Sequence, residues 1–223
     1  MFKLFTPNDE RPWRSENFAI AVSGGYDSMA VASFFVKGKY KPTIIHVNHS
    51  TGNDAAQAVV EEFAKLHGLN VIVHTINPVE KPKRESWEEF WRNKRLEFFK
   101  SQNMPVITGH NLNDAMETWI FSAINGNPKL IPYRNGNIYR PFLLTKKEEL
   151  KDYAVRNNIK WHEDKSNGDV RFSRNRIRHN IIPEILAINE GFDTTIRNLY
   201  NRINTENQSG TTAEIKNDCY RYC

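Results

Sequence analysis

Cysteine is almost missing from this chain: the only two are Cys219 and Cys223, both within the last five of 223 residues. Two cysteines so placed supply neither a disulfide framework nor the four ligands of a typical zinc site. Sulfur-transfer chemistry, which usually needs a cysteine beside the reacting atoms, is disfavoured for the same reason. Long apolar runs are missing as well. No stretch approaches the roughly 20 residues needed to cross a bilayer. Residues 1–17 carry charges and prolines where a secretion signal would have an apolar core. The expectation is therefore a soluble, cytoplasmic protein with no membrane partner. Internal repeats are absent, and so are two common phosphate-binding signatures: there is neither a Gly-Lys-Ser/Thr loop nor a Gly-x-Gly-x-x-Gly turn. With 39% hydrophobic and 26% charged residues, the composition is that of a globular chain. Its length suffices for one full domain and a small second module.

What is present is unevenly distributed. Residues 1–128 hold 14 Lys and Arg against 14 Asp and Glu, whereas residues 129–202 hold 15 against 9. The net charge of +5 thus comes from the second stretch, as expected of a polyanion-binding module beside a neutral one, or of a solvated basic surface. The first stretch alternates strand and helix patterns. Apolar runs at 18–22 and 43–47 read as strands buried on both faces, and 70–76 and 105–108 as two more. Between them lie helical patterns at 29–36, at 55–66 ended by Gly68, and from a Ser86-Trp87-Glu88-Glu89 capping box to about residue 100. Another helix is expected over 113–125. This order predicts an α/β fold: a doubly wound parallel sheet, followed by a small helical module. The stretch 126–142 is rich in Asn, Gly and Pro and shows no clear element. A second capping box, Thr145-Lys146-Lys147-Glu148, opens a helix to about 157. Residues 171–186 read as a helix broken at Pro183, and 192–203 as a last helix. The organisation expected is an α/β domain over 1–128, a basic, mainly helical module over 129–204, and a mobile tail over 205–223.

Ser23-Gly24-Gly25-Tyr26-Asp27-Ser28 lies between a buried strand and a helix. Two glycines let the backbone turn tightly and bring N–H groups close to phosphate oxygens. The following helix adds unpaired N–H groups and its positive dipole end, and Ser23 and Ser28 add hydroxyls. Asp27 is out of place in an anion site unless a cation is also bound, and the Mg²⁺ carried by ATP would supply one. The sequence resembles the PP-loop of ATP pyrophosphatases, Ser-Gly-Gly-x-Asp-Ser. That resemblance implies a Rossmann-like ATPase fold and cleavage of ATP between the α- and β-phosphates to give an adenylated intermediate.

Later segments resemble one branch of that superfamily, the tRNA(Ile)-lysidine synthetases. Gly109-His110-Asn111-Leu112-Asn113-Asp114-Ala115-Met116-Glu117-Thr118 is similar to their His-His-x-x-Asp-Asp-x-x-Glu-Thr segment, with Asn111 and Asn113 replacing a His and an Asp. Glu88, Arg92 and Arg95 match a Glu-x-x-x-Arg-x-x-Arg helix. Arg140-Pro141-Phe142-Leu143 resembles their Arg-Pro-Leu-Leu. Glu163-Asp164-Lys165-Ser166-Asn167 and Arg174-Asn175-Arg176-Ile177-Arg178 resemble the Glu-Asp-x-Ser-Asn and Arg-Asn-x-Ile-Arg signatures. The likeness runs over residues 18–186 and lacks the C-terminal domain of longer members.

The resemblance implies an AMP-forming ligase. It would join L-lysine to the wobble cytidine of tRNA(Ile) with anticodon CAU, using ATP and Mg²⁺. Ser23, Gly24, Gly25, Asp27 and Ser28 would hold the pyrophosphate side, with Asp27 near Mg²⁺. Asp114 and Glu117, three apart and so on one helical face, are candidates for catalysis, for Mg²⁺ or for the lysine ammonium groups, against the plainer reading of a solvated first turn. Glu88 and Arg92 would line the crevice. Arg174, Arg176 and Arg178 would meet ATP phosphates or the tRNA backbone. His46 is a candidate at the nucleotide and, with His110, for acid–base work. A tRNA thiolase and a tRNA-binding protein with an inactive loop stand as alternatives. A monomer and a homodimer are both open.

Overall fold

The computed structural model describes residues 2–15, 17–50, 54–163, 168, 170 and 172–208. The apolar runs form strands because they have two faces to bury. β1 (Ala19–Ala21), β2 (Thr43–Asn48), β3 (Val71–Thr75) and β4 (Val106–Thr108) pair in parallel in the order β3-β2-β1-β4. Ile20 lies level with Ile44 on one side and Ile107 on the other, and all three are fully buried. Their side chains join one apolar cluster with Met29, Val31 and Phe35 of α1 (Tyr26–Lys37) and with Val60 and Ala64 of α2 (Asp54–His67). The neighbouring residues Ala19, Ile45 and Val106 point the other way, where Phe98 and Phe99 of α3 (Trp87–Lys100) cover them. Helices on both faces leave no polar side for the sheet, which is why its strands are apolar without alternation. Each fully buried Ile contributes about 1.5–3 kcal/mol by leaving water.

The stretch 126–142, read as irregular from its composition, contains two short strands. β5 (Arg134–Asn135) and β6 (Ile138–Tyr139) form an antiparallel pair around Gly136, whose φ is +64°. β6 then pairs in parallel with β4, completing a six-stranded sheet. Two-residue strands are too short to show periodicity, and their pairing is supplied by the edge of β4.

Two helix starts also differ from expectation. α4 (Leu112–Ile124) begins one residue early, with Asn111 as a fully buried N-cap. Its side-chain oxygen accepts from the N–H groups of Asn113 and Asp114, and Asp114 accepts in return from the Asn111 N–H at 3.0 Å. α5 (Lys147–Arg156) is capped from Lys146, not Thr145. The predicted box does not form; one residue further on, Glu149 accepts from the Lys146 N–H. Thr145 is buried, and its carbonyl accepts from the Leu112 N–H. Asn113 accepts from the Lys147 N–H. The starts of α4 and α5 are thereby tied together.

Pro183 does not break the C-terminal helix. The chain runs from α6 (Ser173–Arg176) through a π turn (Ile177–Ile181) into α7 (Ile182–Ile188). Pro183 falls in the first turn of α7, where a missing N–H is tolerated. α8 (Phe192–Gln208) follows. Ile177, Ile182, Phe192, Ile196 and Tyr200 belong to the same apolar cluster as Ile20, so this basic stretch packs directly on the sheet domain. No helix among the described residues is long and apolar enough to cross a membrane. α8 thus runs through residues 205–208, read from their polarity as the start of a mobile tail; the rest of that tail from 209 onward, with Cys219 and Cys223, lies outside the described residues.

Removing the Asn111 cap tests the junction of α4 and α5. Asn111→Ala is expected to lower unfolding stability by about 1–2 kcal/mol, at the upper end for an N-cap because the site is buried. Urea unfolding followed by far-UV circular dichroism measures it, with the exposed Asn125 as a control position.

Candidate active site at the carboxyl edge of the sheet

β1 and β4 are neighbours, yet their chains leave the sheet in opposite directions, α1 toward β2 and α4 toward β6. Such a switch point opens a crevice at the carboxyl ends of parallel strands. The Ser23–Ser28 turn sits there. Gly24 has φ +92°, and a Cβ on it would lie 2.9 Å from the Ala56 carbonyl oxygen. Conformation and space both require glycine at this position. Gly25 caps α1. The Ser28 hydroxyl lies 3.1 Å from the Ser23 hydroxyl and from the Ser23 N–H, and it donates to the Gly25 carbonyl at 3.0 Å. These bonds close the turn over the first α1 amides, which have no intrahelical partners. Gly109, just after β4, brings its backbone against Ser28, leaving 3.4 Å between an added Cβ and the Ser28 Cα.

The second basic stretch covers this turn. The His162 N–H donates to the Gly24 carbonyl at 2.9 Å, and Trp161 meets Tyr26 edge-on at 6.3 Å. Residues 164–167 of the Glu-Asp-x-Ser-Asn match lie outside the described residues. Lys147, in the first turn of α5, places its ammonium 3.9 Å from Asp27 and over the Tyr26 ring. Its motif gave no sign of this role: the capping pattern marked Lys147 as a helix start, and only packing aims it at the loop.

Asp27 has an Oδ1 atom that is buried without a hydrogen-bond partner. Burial pushes its carboxyl up from 3.8 to about 7, and Asp114 and Glu148 add to the shift while Lys147 and Arg178 oppose it. An acid so placed is poorly solvated when ionised. A cation held between Asp27, Asp114 and bound phosphates would relieve it, and Mg²⁺ typically takes one or two carboxylates and substrate oxygens. The residues present thus fit that ion. No group of three potential metal-ligating side chains occurs among the described residues.

Glu117 is 3% exposed. One of its oxygens accepts from Arg174 at 2.7 Å and the other from Arg178 at 2.7 Å. Arg178 also reaches Asp114 at 3.4 Å, and Arg174 reaches Glu88 at 3.1 Å. The Arg174 guanidinium lies 5.1 Å from the Phe121 ring centroid. Asp114, Glu117, Glu88, Arg174 and Arg178 therefore form one network. The two arginines expected to face phosphate or RNA freely are engaged by carboxylates, because a buried Glu117 requires compensating charge. Arg176 is exposed. Arg92 lies beside the network, its guanidinium pulled below the ordinary value by burial and by Arg174.

The two histidines are structural in their contacts. His46 is buried, with Nδ1 2.8 Å from the Val22 carbonyl at the root of the loop. His110 has Nδ1 2.8 Å from the Thr108 hydroxyl. Burial, with Arg140, Arg95, Arg92 and Arg174 around it, pushes His110 down to about 3, so it stays neutral. A neutral imidazole can donate and accept hydrogen bonds but has no cationic proton to give up. Asn111 and Asn113, the two departures from the family pattern, are helix caps, as described above.

The raised Asp27 carboxyl has a consequence for stability without nucleotide or metal. Its folded value lies above its unfolded one, so its favourable contribution is complete below about pH 4 and is lost as pH rises to about 7. Asp27→Asn should match the parent at pH 4 and exceed it above pH 7, by on the order of 2 kcal/mol after allowance for solvent screening. Urea unfolding of both proteins in chelator across this range checks the sign and the window.

The PP-loop domain family matches residues 3–185 of this chain. The chain is 33% identical over 202 residues to a tRNA(Ile)-lysidine synthase from Persephonella marina, covering 82% of this chain and 44% of that protein. It is 28% identical over 209 residues to one from Francisella tularensis subsp. novicida, covering 87% and 52%. It thus spans about half the length of these curated relatives. In three dimensions it is similar to the U34-tRNA thiolase NcsA of Methanococcus maripaludis, with a TM-score of 0.68 and 18% identity over 85% of this chain and 72% of that one, a likeness of fold alone. With the loop, the sheet order and a match over most of its length, this chain belongs to the PP-loop family.

Proposed function

We propose that the chain carries the catalytic unit of an AMP-forming ligase that joins L-lysine to the wobble cytidine of tRNA(Ile) with anticodon CAU. The observation that carries this reading is the crevice itself. A phosphate-binding turn, the carboxylates of Asp27, Asp114, Glu117 and Glu88 and a cluster of arginines meet at one switch point, in a chain that has the PP-loop and resembles tRNA(Ile)-lysidine synthases over most of its length. The cytidine O2 attacks the α-phosphorus of ATP, and the bond to the pyrophosphate oxygen breaks. The lysine amine then attacks C2, and AMP leaves with the O2 oxygen. Adenylation turns a poor oxygen leaving group into a good one.

This chain's residues divide that work. The turn amides with Ser23 and Ser28 bind the pyrophosphate, and Lys147 adds a positive charge at the same place. Asp27, with Asp114, would hold Mg²⁺, which would supply charge neutralisation at the phosphates. Asp114, 26% exposed at its side chain, is the more accessible carboxylate for a lysine ammonium group. Glu117 acts mainly by orienting Arg174 and Arg178 toward the phosphates. Neutral His110 and buried His46 shape the floor of the site. Arg176 meets the RNA backbone. A thiolase reading is weaker, since residues 1–218 contain no cysteine.

Incubation with ATP, tRNA and labelled lysine, followed by nucleoside analysis, tests the reaction directly. Labelled lysidine is expected; AMP formation without any lysine-labelled nucleoside would refute it. Asp27→Ala should reduce pyrophosphate release by about 100-fold or more, as expected for loss of charge stabilisation at the transferred group. Asp114→Asn should raise the lysine concentration needed for half-maximal transfer more than it slows pyrophosphate release. Equal loss of both half-reactions would assign Asp114 to Mg²⁺ alone.

RNA affinity should fall steeply with salt as counterions are released. Arg176→Ala is expected to lower the slope of log affinity against log salt by about 1. Arg174→Ala should change it less, because its charge is already matched by Glu117 and Glu88. Filter binding at several salt concentrations distinguishes the two.

A further inference from the structure

Outside the crevice, the same edge of the sheet carries an aromatic and basic surface that the reaction does not use. Trp87 opens α3 and is 49% exposed. Its ring stacks on Trp91 one turn later, with centroids 5.1 Å apart and planes 22° from parallel. Trp91 is in turn braced by His49, 5.1 Å away and edge-on, and by the buried Phe90. His49 follows directly on the last residue of β2, so the pair lies at the carboxyl edge of the sheet, the edge that bears the phosphate turn. Glu88, adjacent to Trp87, reaches Arg174 of the catalytic network. The surface is therefore continuous with the crevice.

A half-exposed tryptophan held flat by a second one is costly to leave in water unless something covers it. A core role does not explain it, since Phe90 already fills the interior beneath α3. The charges around it indicate what that cover is. Lys81 places its ammonium 5.1 Å from the Trp87 ring centroid, and Lys83 and Arg84, four and three residues before Trp87 in the chain, are exposed. Of the four nearby acids, Glu80 is paired with Lys94 and Glu88 with Arg174, leaving Glu85, which accepts from the neutral Asn93 amide, and Glu89 against three cations. An exposed indole with one lysine ammonium over its ring and two exposed cations close by in the chain matches a nucleobase with its phosphates. Base–aromatic stacking tolerates any base, and basic side chains track the backbone. An acidic peptide would match the charges but would leave the stacked indole without a partner.

We propose that Trp87, backed by Trp91, is a stacking platform for an unpaired base of the RNA substrate adjacent to the reactive one, with Lys81, Lys83 and Arg84 on the neighbouring phosphates. This rests on the reading of the chain as an RNA-modifying enzyme. It adds a second recognition point that holds the RNA open while its target base sits at the phosphate turn.

The test uses a short unpaired ribo-oligonucleotide and a blunt RNA duplex of the same base composition, with binding to the full chain measured by anisotropy. The parent protein should prefer the unpaired RNA. Trp87→Ala should weaken that binding by roughly 5- to 150-fold, the range for loss of one base–aromatic stack, with ATP affinity unchanged. Trp87→Phe, which keeps a π face, should recover most of it and guards against misfolding as the cause. Equal binding of unpaired RNA by the parent and Trp87→Ala overturns the platform, whatever the nucleoside analysis shows. No RNA binding by the parent overturns the RNA-modifying reading and the platform with it. Self-association of the parent that Trp87→Ala abolishes, without RNA binding, would assign this face to a second copy of the chain. If RNA binding behaves as expected but no lysidine forms, the platform stands and only the choice of reaction fails.

Discussion

A carboxylate with 3% of its surface in water, Glu117, holds the C-terminal helical stretch to the sheet domain. An isolated charge in that position would be unstable by several kcal/mol. Arg174 and Arg178 remove the penalty by taking one oxygen each, and they come from α6 and the π turn that follows it. Glu117 comes from α4, and Glu88, which shares Arg174, from α3. Four elements are thereby fixed by one ionic network. Because Asp114 and Arg178 lie within that network and also act on Asp27, the position of the helical module and the electrostatics of the phosphate turn are set together.

The same arrangement explains why the turn carries an aspartate where phosphates are to bind. Asp27 faces Lys147 from α5 and, more distantly, Asp114 and Arg178. Without a bound cation the carboxyl is held near its point of neutrality. With one, it can ionise at no loss. Under the proposed function the site would suit a metal-carrying phosphate better than a bare anion, and Lys147, Arg174 and Arg178 are already held by carboxylates. Anchored donors lose little freedom on binding, which is the physical basis of electrostatic preorganisation.

Much of the scaffold was legible in the chain. The four apolar runs of the sheet were clear because strands buried on both faces need no alternation, and a run such as Thr43-Ile44-Ile45-His46-Val47 fits little else. Asp114 and Glu117 could be placed on one helical face by spacing alone. The pairing of β6 with β4 could not be seen, because two residues carry no period. Lys147 as a partner of Asp27 was equally hidden, since 120 residues separate them and a lysine in a first helical turn is ordinary. Asn111 could be read only as a replacement for a His of the family pattern and is a buried cap, which depends on the Asp114 carboxylate turning back to its N–H.

By itself, the sequence determined the local rules: where the backbone must turn, as at Gly24; which runs must be covered on both faces; and which segments match a known family. Those are properties of short windows, governed by dihedral freedom, apolar pattern and capping chemistry. Only the tertiary structure decided which charges are free. Arg174, Arg176 and Arg178 look equivalent in the chain, yet two are matched by Glu117 and one is exposed. Trp87 and Trp13 are both tryptophans near basic residues, yet Trp13 is buried at 5% against Phe35 and Trp87 stands half in solvent. Burial and ion pairing depend on distances between remote parts of the chain, and those distances exist only once the sheet has closed.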